Sequence, residues 1–192
     1  MSKRIGIFGG TFDPPHIGHL IVANEVLNHL KLHEVRFMPN HTPPHKEKAN
    51  GVTNEQRVQM VQLAIKHHPQ FSLELLEIER GGKSYTYDTI VQLKEREPEN
   101  DFYFIIGGDS VEHLTQWHRI EELVSLVQFV GVNRPNYSSS RCPYPLITIE
   151  IPEIGISSSE IRNRLRHGQT VKYFLPDEVN QYIKEHRLYG AK

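Results

Sequence analysis

Apolar residues along this chain fall into two alternating rhythms: short unbroken runs, and sets spaced for one face of a helix. The run over 3–8, carrying Ile5, Ile7 and Phe8, reads as a first strand. It breaks at Gly9-Gly10, and Pro14-Pro15 holds the next stretch extended. From Gly18, Leu20, Ala23, Leu27 and Leu30, with Val22 and Val26 beside them, form a helical face. A second strand over 34–38 leads into a loop over 39–48 with turn residues and both signs of charge. Thr53 and Gln56 have capping-box spacing, and Val58, Val61 and Ile65 continue a second helix. Runs over 71–78, 101–106, 128–132 and 146–151 read as strands three to six. Between them the pattern predicts a helix over 86–95, a helical region from Asp109 to about Leu126 with Asp109 and Glu112 as a variant capping pair, and a loop over 133–145. Two helices follow. Ser157 and Glu160 frame a capping box, Ile156 and Ile161 are placed as its staple, and Gly168 suits the C′ position. The last helix starts near Pro176, with Asp177 and Glu178 in its first turn.

Strands alternating with helices at this spacing predict an α/β fold: a doubly wound, mainly parallel sheet with C-terminal helices, 1–192 forming a single domain. Ligands in such sheets bind at the carboxyl ends of the strands, near the switch in strand order. Three glycine corners are therefore expected there, each directly after a strand: Gly9-Gly10, Gly81-Gly82 and Gly107-Gly108. Gly81-Gly82-Lys83-Ser84 imitates the tail of a P-loop, but Glu77 stands where that motif needs its first glycine. A carboxylate there opposes phosphate, so a plain turn is expected. The G-x-G-x-x-G fingerprint is missing as well, because Gly6, Gly9 and Gly10 have the wrong spacing.

Composition narrows the function classes. A formal charge of −1 on 192 residues gives no bulk attraction to nucleic acid, so an anion site has to be local. No apolar stretch approaches membrane-spanning length, and residues 1–10 lack the h-region of a signal peptide, so no membrane partner is expected. Cys142 is the single cysteine, which excludes an internal disulfide framework and makes the cytoplasm the default. Twelve histidines make chance pairs ordinary, so only context gives a pair meaning.

His16-Ile17-Gly18-His19 has that context. At a helix start both imidazoles can lie on one side, beside free backbone amides, and donate to phosphate oxygens. The same residues also fit a helix cap with two surface histidines. A zinc site ranks last, for want of a cysteine or carboxylate at ligand spacing, and no resident metal site is expected. In Ile156-Ser157-Ser158-Ser159-Glu160-Ile161-Arg162, three hydroxyls, N-terminal amides and an arginine one turn in make an anion cradle. A well-capped surface helix is the alternative.

Taken together, these motifs resemble a known family. Gly9-Gly10-Thr11-Phe12-Asp13-Pro14 leading into His16-Ile17-Gly18-His19 resembles the H-x-G-H signature of the nucleotidyltransferases. The stretch 156–162 is similar to their second motif, I-S-S-[ST]-x-[IV]-R, with Ser159 where threonine is frequent. Pro43-Pro44-His45-Lys46, Ser84-Tyr85-Thr86, Gly107-Gly108-Asp109-Ser110, the Trp117 region and Asn133-Arg134-Pro135 extend the resemblance to the bacterial nicotinate-nucleotide adenylyltransferases, from about residue 3 to the C-terminus.

The resemblance implies a Rossmann-like fold and transfer of AMP from ATP to nicotinate mononucleotide, giving deamido-NAD and pyrophosphate in NAD biosynthesis. Another acceptor (nicotinamide mononucleotide or phosphopantetheine) is the alternative within the enzyme class, and a non-catalytic nucleotide-binding module the alternative outside it. It implies catalytic roles for His16, His19 and Arg162. Gly9, Gly10, Thr11, Phe12, Gly107, Asp109, Ser157 and Ser158 would meet ATP. Asn40, His45, Lys46, Tyr85, Thr86, Trp117 and Arg134 would meet the acceptor. Mg²⁺ would arrive with ATP; the partners are the two substrates, and a homodimer is compatible with the resemblance. The chemistry suits the residues: a phosphate monoester with a second pKa of about 6 attacks without a strong base, and no Ser/His/Asp or Cys/His constellation suggests a covalent intermediate.

Overall fold

The computed structural model describes residues 2–42, 51–133, 142–152 and 154–191, without the side chains of Asp109 and Asn133. Its strands β1 (Arg4–Gly10), β2 (Glu34–Pro39), β3 (Phe71–Leu73), β4 (Asp101–Gly107), β5 (Gln128–Asn133) and β6 (Leu146–Glu150) form one parallel sheet in the order β3-β2-β1-β4-β5-β6. The first three strands step outward from β1 in one direction and the last three step outward in the other. The order reverses between β1 and β4, and there the carboxyl ends of two neighbours open a crevice.

Both sheet faces are covered, which explains why the central strands read as unbroken apolar runs. On one face Phe8, Phe37, Tyr103 and Ile105 pack beneath Ala23, Val26 and Leu27 of α1 (Ile17–His29) and Val61 and Ile65 of α2 (Asn54–Ile65). On the other, Ile5, Ile7, Phe104 and Ile106 meet Ile90 and Leu93 of one helix and Leu123 of another. A third apolar cluster joins Met60 of α2 to Ile161, Leu165, Val179, Ile183 and Tyr189, seating the C-terminal helices against α2. Among the described residues no helix is long and apolar enough to cross a membrane.

Several expectations are corrected. The third strand stops at Leu73, and Leu76–Arg80 form a short helix, α3. Glu74 turns the chain: its carboxylate accepts from the Leu76 amide (3.2 Å), and Glu77 and Glu79 favour a first helical turn. Gly81-Gly82, with φ of 70° and 71°, therefore follow a helix. They still lie beside the end of β2, because the Ser84 amide donates to the Thr42 carbonyl (3.0 Å). The helix expected over 86–95 is present as α4 (Thr86–Arg96). The region expected to run helically from Asp109 to Leu126 is broken into α5 (Gly108–Glu112), a 3₁₀ turn over Leu114–Gln116, and α6 (Ile120–Leu126). Arg119 in the left-handed region divides it, and Gly107 occupies the N-cap in place of Asp109. The strand expected to end before Gly9 runs through Gly10, paired with Pro39. In α7 (Ser158–Arg166) the capping box is half-formed: Ser157 Oγ accepts from the Glu160 amide (3.2 Å), while the Glu160 carboxylate accepts from Arg164 (2.9 Å). The Thr53–Gln56 box is complete, and Gly168, at φ 64°, ends α7 as expected. A last helix, α8 (Asp177–Glu185), begins after Pro176.

Candidate active site

β1 delivers Gly9 and Gly10 to the mouth of the crevice. A Cβ on Gly10 would stand 2.9 Å from the Phe12 ring, so only glycine lets Phe12 fold back, at φ 49°, against Phe8, Phe37 and His19. The chain then enters α1. His16 and His19 stack, with ring centroids 3.7 Å apart, so spacing of three residues does bring both imidazoles to one side. The His16 amide donates to His19 Nδ1 (3.1 Å). An accepting Nδ1 in a neutral ring leaves the proton on Nε2, and His19 is thereby held as an Nε2–H donor. Burial drives the His16 pKa from 6.5 down to about 4. Burial, and then its neighbour His16, hold His19 well below its ordinary value. Both rings are neutral at pH 7. Among the described residues the buried His16 Nδ1 has no hydrogen-bond partner. Its ring lies 3.0 Å from where a Gly18 Cβ would project, so the glycine expected to admit a ligand to the backbone makes room for His16 itself.

The C-terminal motif comes to the same loop. Ser158 Oγ donates to the Pro14 carbonyl (2.9 Å), and Arg162 Nη1 donates to the Asp13 carbonyl (2.7 Å) while Nη2 donates to Ser159 Oγ (3.1 Å). The first α1 amide, Ile17, donates to the Phe174 carbonyl (2.9 Å). Ser157 is exposed, capping α7. The amino-terminal histidines and the serine-arginine cluster thus converge at the end of β1. Across the crevice, Gly107 caps α5 with open space where a Cβ would project.

On the other side of β1, Asn40 is half-buried, its Nδ2 donating to Thr11 Oγ1 (3.3 Å) and its buried Oδ1 without a partner among the described residues. Tyr85 is the N-cap of α4 and supplies no side-chain cap bond, so Thr86 opens a helix whose first amides lack one. The Tyr85 ring stands 4.8 Å from His118. Ser84 pins this corner to the end of β2, accepting from the His41 amide (3.0 Å). Trp117 is half-buried and edge-on to Phe104 and Phe129 (both 5.9 Å), so it is part of the packed face beneath β4 and β5. His45, Lys46 and Arg134 lie outside the described residues.

Residues outside the motifs also shape the corner. Arg57 of α2 is buried, donating to the Thr11 carbonyl (2.6 Å), the Asn40 carbonyl and Asn54 Oδ1 (2.8 Å). A lone cation beside Met60 and Val61 on a helix is the signal that could have marked it. Asp13 is buried, accepting at Oδ1 from the Tyr189 hydroxyl; nothing local in sequence announces that pairing across 176 positions. Among the described residues no three His, Cys, Asp or Glu side chains gather as a metal site.

Comparison with known proteins agrees with this architecture. The family model described as cytidylyltransferase-like matches residues 7–164. A relative from Geobacillus thermodenitrificans, named as a probable nicotinate-nucleotide adenylyltransferase, is 55% identical over 189 residues, covering 98% of this chain and 87% of the relative. One of the same name from Bacillus licheniformis is 52% identical over 187 residues, 97% of this chain and 98% of the relative. Among solved structures, Plasmodium falciparum nicotinic acid mononucleotide adenylyltransferase complexed with NaAD superposes with a TM-score of 0.84 at 25% identity, over 99% of this chain and 98% of that one. With a family model across most of its length and relatives matched nearly end to end, the chain belongs to the nicotinate-nucleotide adenylyltransferase family.

Proposed function

We propose that the crevice between β1 and β4 aligns ATP with nicotinate mononucleotide, and that His16, His19, Ser158 and Arg162 carry the charge that moves during the reaction. The chain is an adenylyltransferase: AMP passes from ATP to nicotinate mononucleotide, giving deamido-NAD and pyrophosphate. Catalysis is alignment of two polyanions plus stabilisation of charge on the α-phosphate and the departing pyrophosphate. The observation that carries the site assignment is the convergence of the neutral, N–H-donating imidazole pair and the Ser158–Arg162 cluster on one loop. His19, donating from Nε2, serves the α-phosphate, with His16 beside it. Arg162, Ser157 and Ser158 hold the β- and γ-phosphates. Gly9, Gly10, Thr11 and Phe12 shape the floor, and Gly107 and Asp109 meet adenosine, the open space at Gly107 leaving room for it.

The acceptor lies toward Tyr85 and Thr86. Uncapped first-turn amides favour a carboxylate over a carboxamide, so nicotinate should be preferred to nicotinamide. Asn40, His45, Lys46 and Arg134 are assigned to the acceptor phosphate, and the exposed part of Trp117, whose other edge packs on Phe104 and Phe129, to the pyridine ring. Mg²⁺ fits as a companion of the nucleotide: Asp13, the carboxylate at the corner, is committed to Tyr189, so phosphate oxygens and water would hold the ion. Bound there, it supplies charge neutralisation on the triphosphate. The single cysteine suits a cytoplasmic enzyme, and light scattering of purified protein checks the homodimer expectation.

The test is pyrophosphate release from ATP and Mg²⁺ with each acceptor in turn. Nicotinate mononucleotide should give the highest kcat/KM. Preference for nicotinamide mononucleotide or phosphopantetheine would remove the acceptor assignment, and ATP binding without pyrophosphate release would leave only a binding module.

A further inference from the structure

Asp13 sits within reach of two competing donors. Its carboxylate is 5% exposed; Oδ1 accepts from the Tyr189 hydroxyl, while Oδ2 stands 4.0 Å from Arg162 Nη1. That separation is wider than a hydrogen-bonded ion pair. Arg162 Nη1 goes instead to the Asp13 main-chain carbonyl (2.7 Å), and Nη2 to Ser159 Oγ (3.1 Å). Asp13 and Arg162 are thus held side by side without closing a two-pronged salt bridge, although both are largely buried and of opposite charge. Oδ1 is taken by a phenol from far along the chain.

Tyr189 is built for that position. It is buried, packed with Ile161, Leu165 and Leu188, and its backbone is held in the left-handed region at φ 56°, between Arg187 at 50° and Gly190 at 77°. A non-glycine residue adopts that region at a cost, and here it directs an aromatic ring inward. Burial, and then the Asp13 charge, push the phenol pKa upward, so it remains a donor. Arg57 faces the same carboxylate through space from α2.

We infer that Tyr189 is a positioning residue for triphosphate binding: its hydroxyl occupies the Asp13 carboxylate and so keeps the Arg162 guanidinium available to phosphate. Without the hydroxyl, Oδ1 becomes an unpaired acceptor in a buried site, and the nearest strong donor able to satisfy it is Arg162. A carboxylate and a guanidinium closing face to face would use the donors that phosphate needs. The deficit falls on ATP and spares the acceptor, whose candidate residues Asn40, Tyr85 and Thr86 lie at the corner between β2 and α4.

This rests on Arg162 contacting the triphosphate, and the experiment separates the two. Steady-state kinetics are measured for Tyr189→Phe, Asp13→Asn, their double variant and Arg162→Ala, varying ATP and nicotinate mononucleotide separately. Tyr189→Phe should lose about tenfold in kcat/KM for ATP while KM for the mononucleotide stays at its wild-type value. In the Asp13→Asn background, where no ion pair can form, the same substitution should have no further effect, a comparison that holds even if Tyr189→Phe alone folds poorly. Wild-type ATP kinetics in Tyr189→Phe, an equal rise in both KM values, or an undiminished loss in the Asp13→Asn background would each overturn the inference. Wild-type ATP kinetics in Arg162→Ala would instead overturn the phosphate assignment beneath it.

Discussion

His19 carries the sharpest expectation at the level of single residues. Its Nδ1 is already taken by the His16 amide, so the ring has one N–H to give and one direction in which to give it. Replacing it by alanine should lower kcat by about 10²–10³, the loss of one preorganised donor to developing charge, with ATP affinity nearly kept. Single-turnover rates beside equilibrium ATP binding measure both halves, and a loss confined to binding would take His19 out of the chemistry. His16 makes a second prediction, about pH. Its pKa falls from 6.5 in the unfolded chain to about 4 in the fold, so the unfolded state binds the extra proton between these values. The stability contribution is whole above pH 6.5 and drains away as pH falls toward 4, by about 3 kcal/mol. Urea midpoints at pH values of about 7.5 and 4.5 should therefore differ less in His16→Gln than in the parent; equal differences would mean the ring is not held neutral by the fold. The three-residue spacing of the pair could be seen in sequence. Their neutrality could not, because it comes from Phe8, Phe12 and the stacked partner ring, brought together only by folding.

The elements were readable in proportion to how local their causes are. Helix ends with their own caps, at Thr53 and Gly168, fall where the sequence puts them. The stretch after β3 does not, because what looks like an apolar strand over 71–78 carries Glu74 and Glu77 inward, and each is satisfied from another element. Glu74, 7% exposed, pairs with Arg36 of β2 and Arg96 of α4, and Glu77 accepts from Thr89 (2.8 Å). Arg36 also binds Glu97 (2.6 Å) and Glu34 (2.8 Å), holding the Glu97 pKa down at about 2. This network fastens the edge of the sheet to the end of α4, away from the phosphate corner. Arg36→Met leaves buried Glu74 and half-buried Glu34 and Glu97 facing one another, with Arg96 still on Glu74, and should cost about 2–3 kcal/mol. Chemical denaturation gives the loss, and kcat at a temperature where the variant is folded should match the parent; a large kcat effect would tie this edge to catalysis.

At the scale of the molecule, the alternation of strands and helices was enough to expect a mainly parallel, doubly wound sheet, while the strand order that puts the switch point between β1 and β4 came only with the structure. What lay beyond sequence is the set of bonds that closes one motif on the other: Ser158 to Pro14, Arg162 to Asp13, Ile17 to Phe174, Tyr189 to Asp13. Because these bonds are shared, a nonhydrolysable ATP analogue should slow amide hydrogen exchange in 13–19 and in 158–174 together, leaving 34–36 and 71–73 unchanged. Protection of one arm alone, read by mass spectrometry, would show that the arms act separately.

The Tyr189–Asp13 bond has a consequence for how the enzyme comes into being. During synthesis the residues that fasten the histidine corner are translated well over a hundred codons after it. A nascent chain can lay down its first strands while that corner still lacks its fastenings. The proposed nucleotide corner is therefore complete only once Tyr189 has been made, and a message cut short before that codon yields a sheet whose loop after β1 has lost the phenol that braces it.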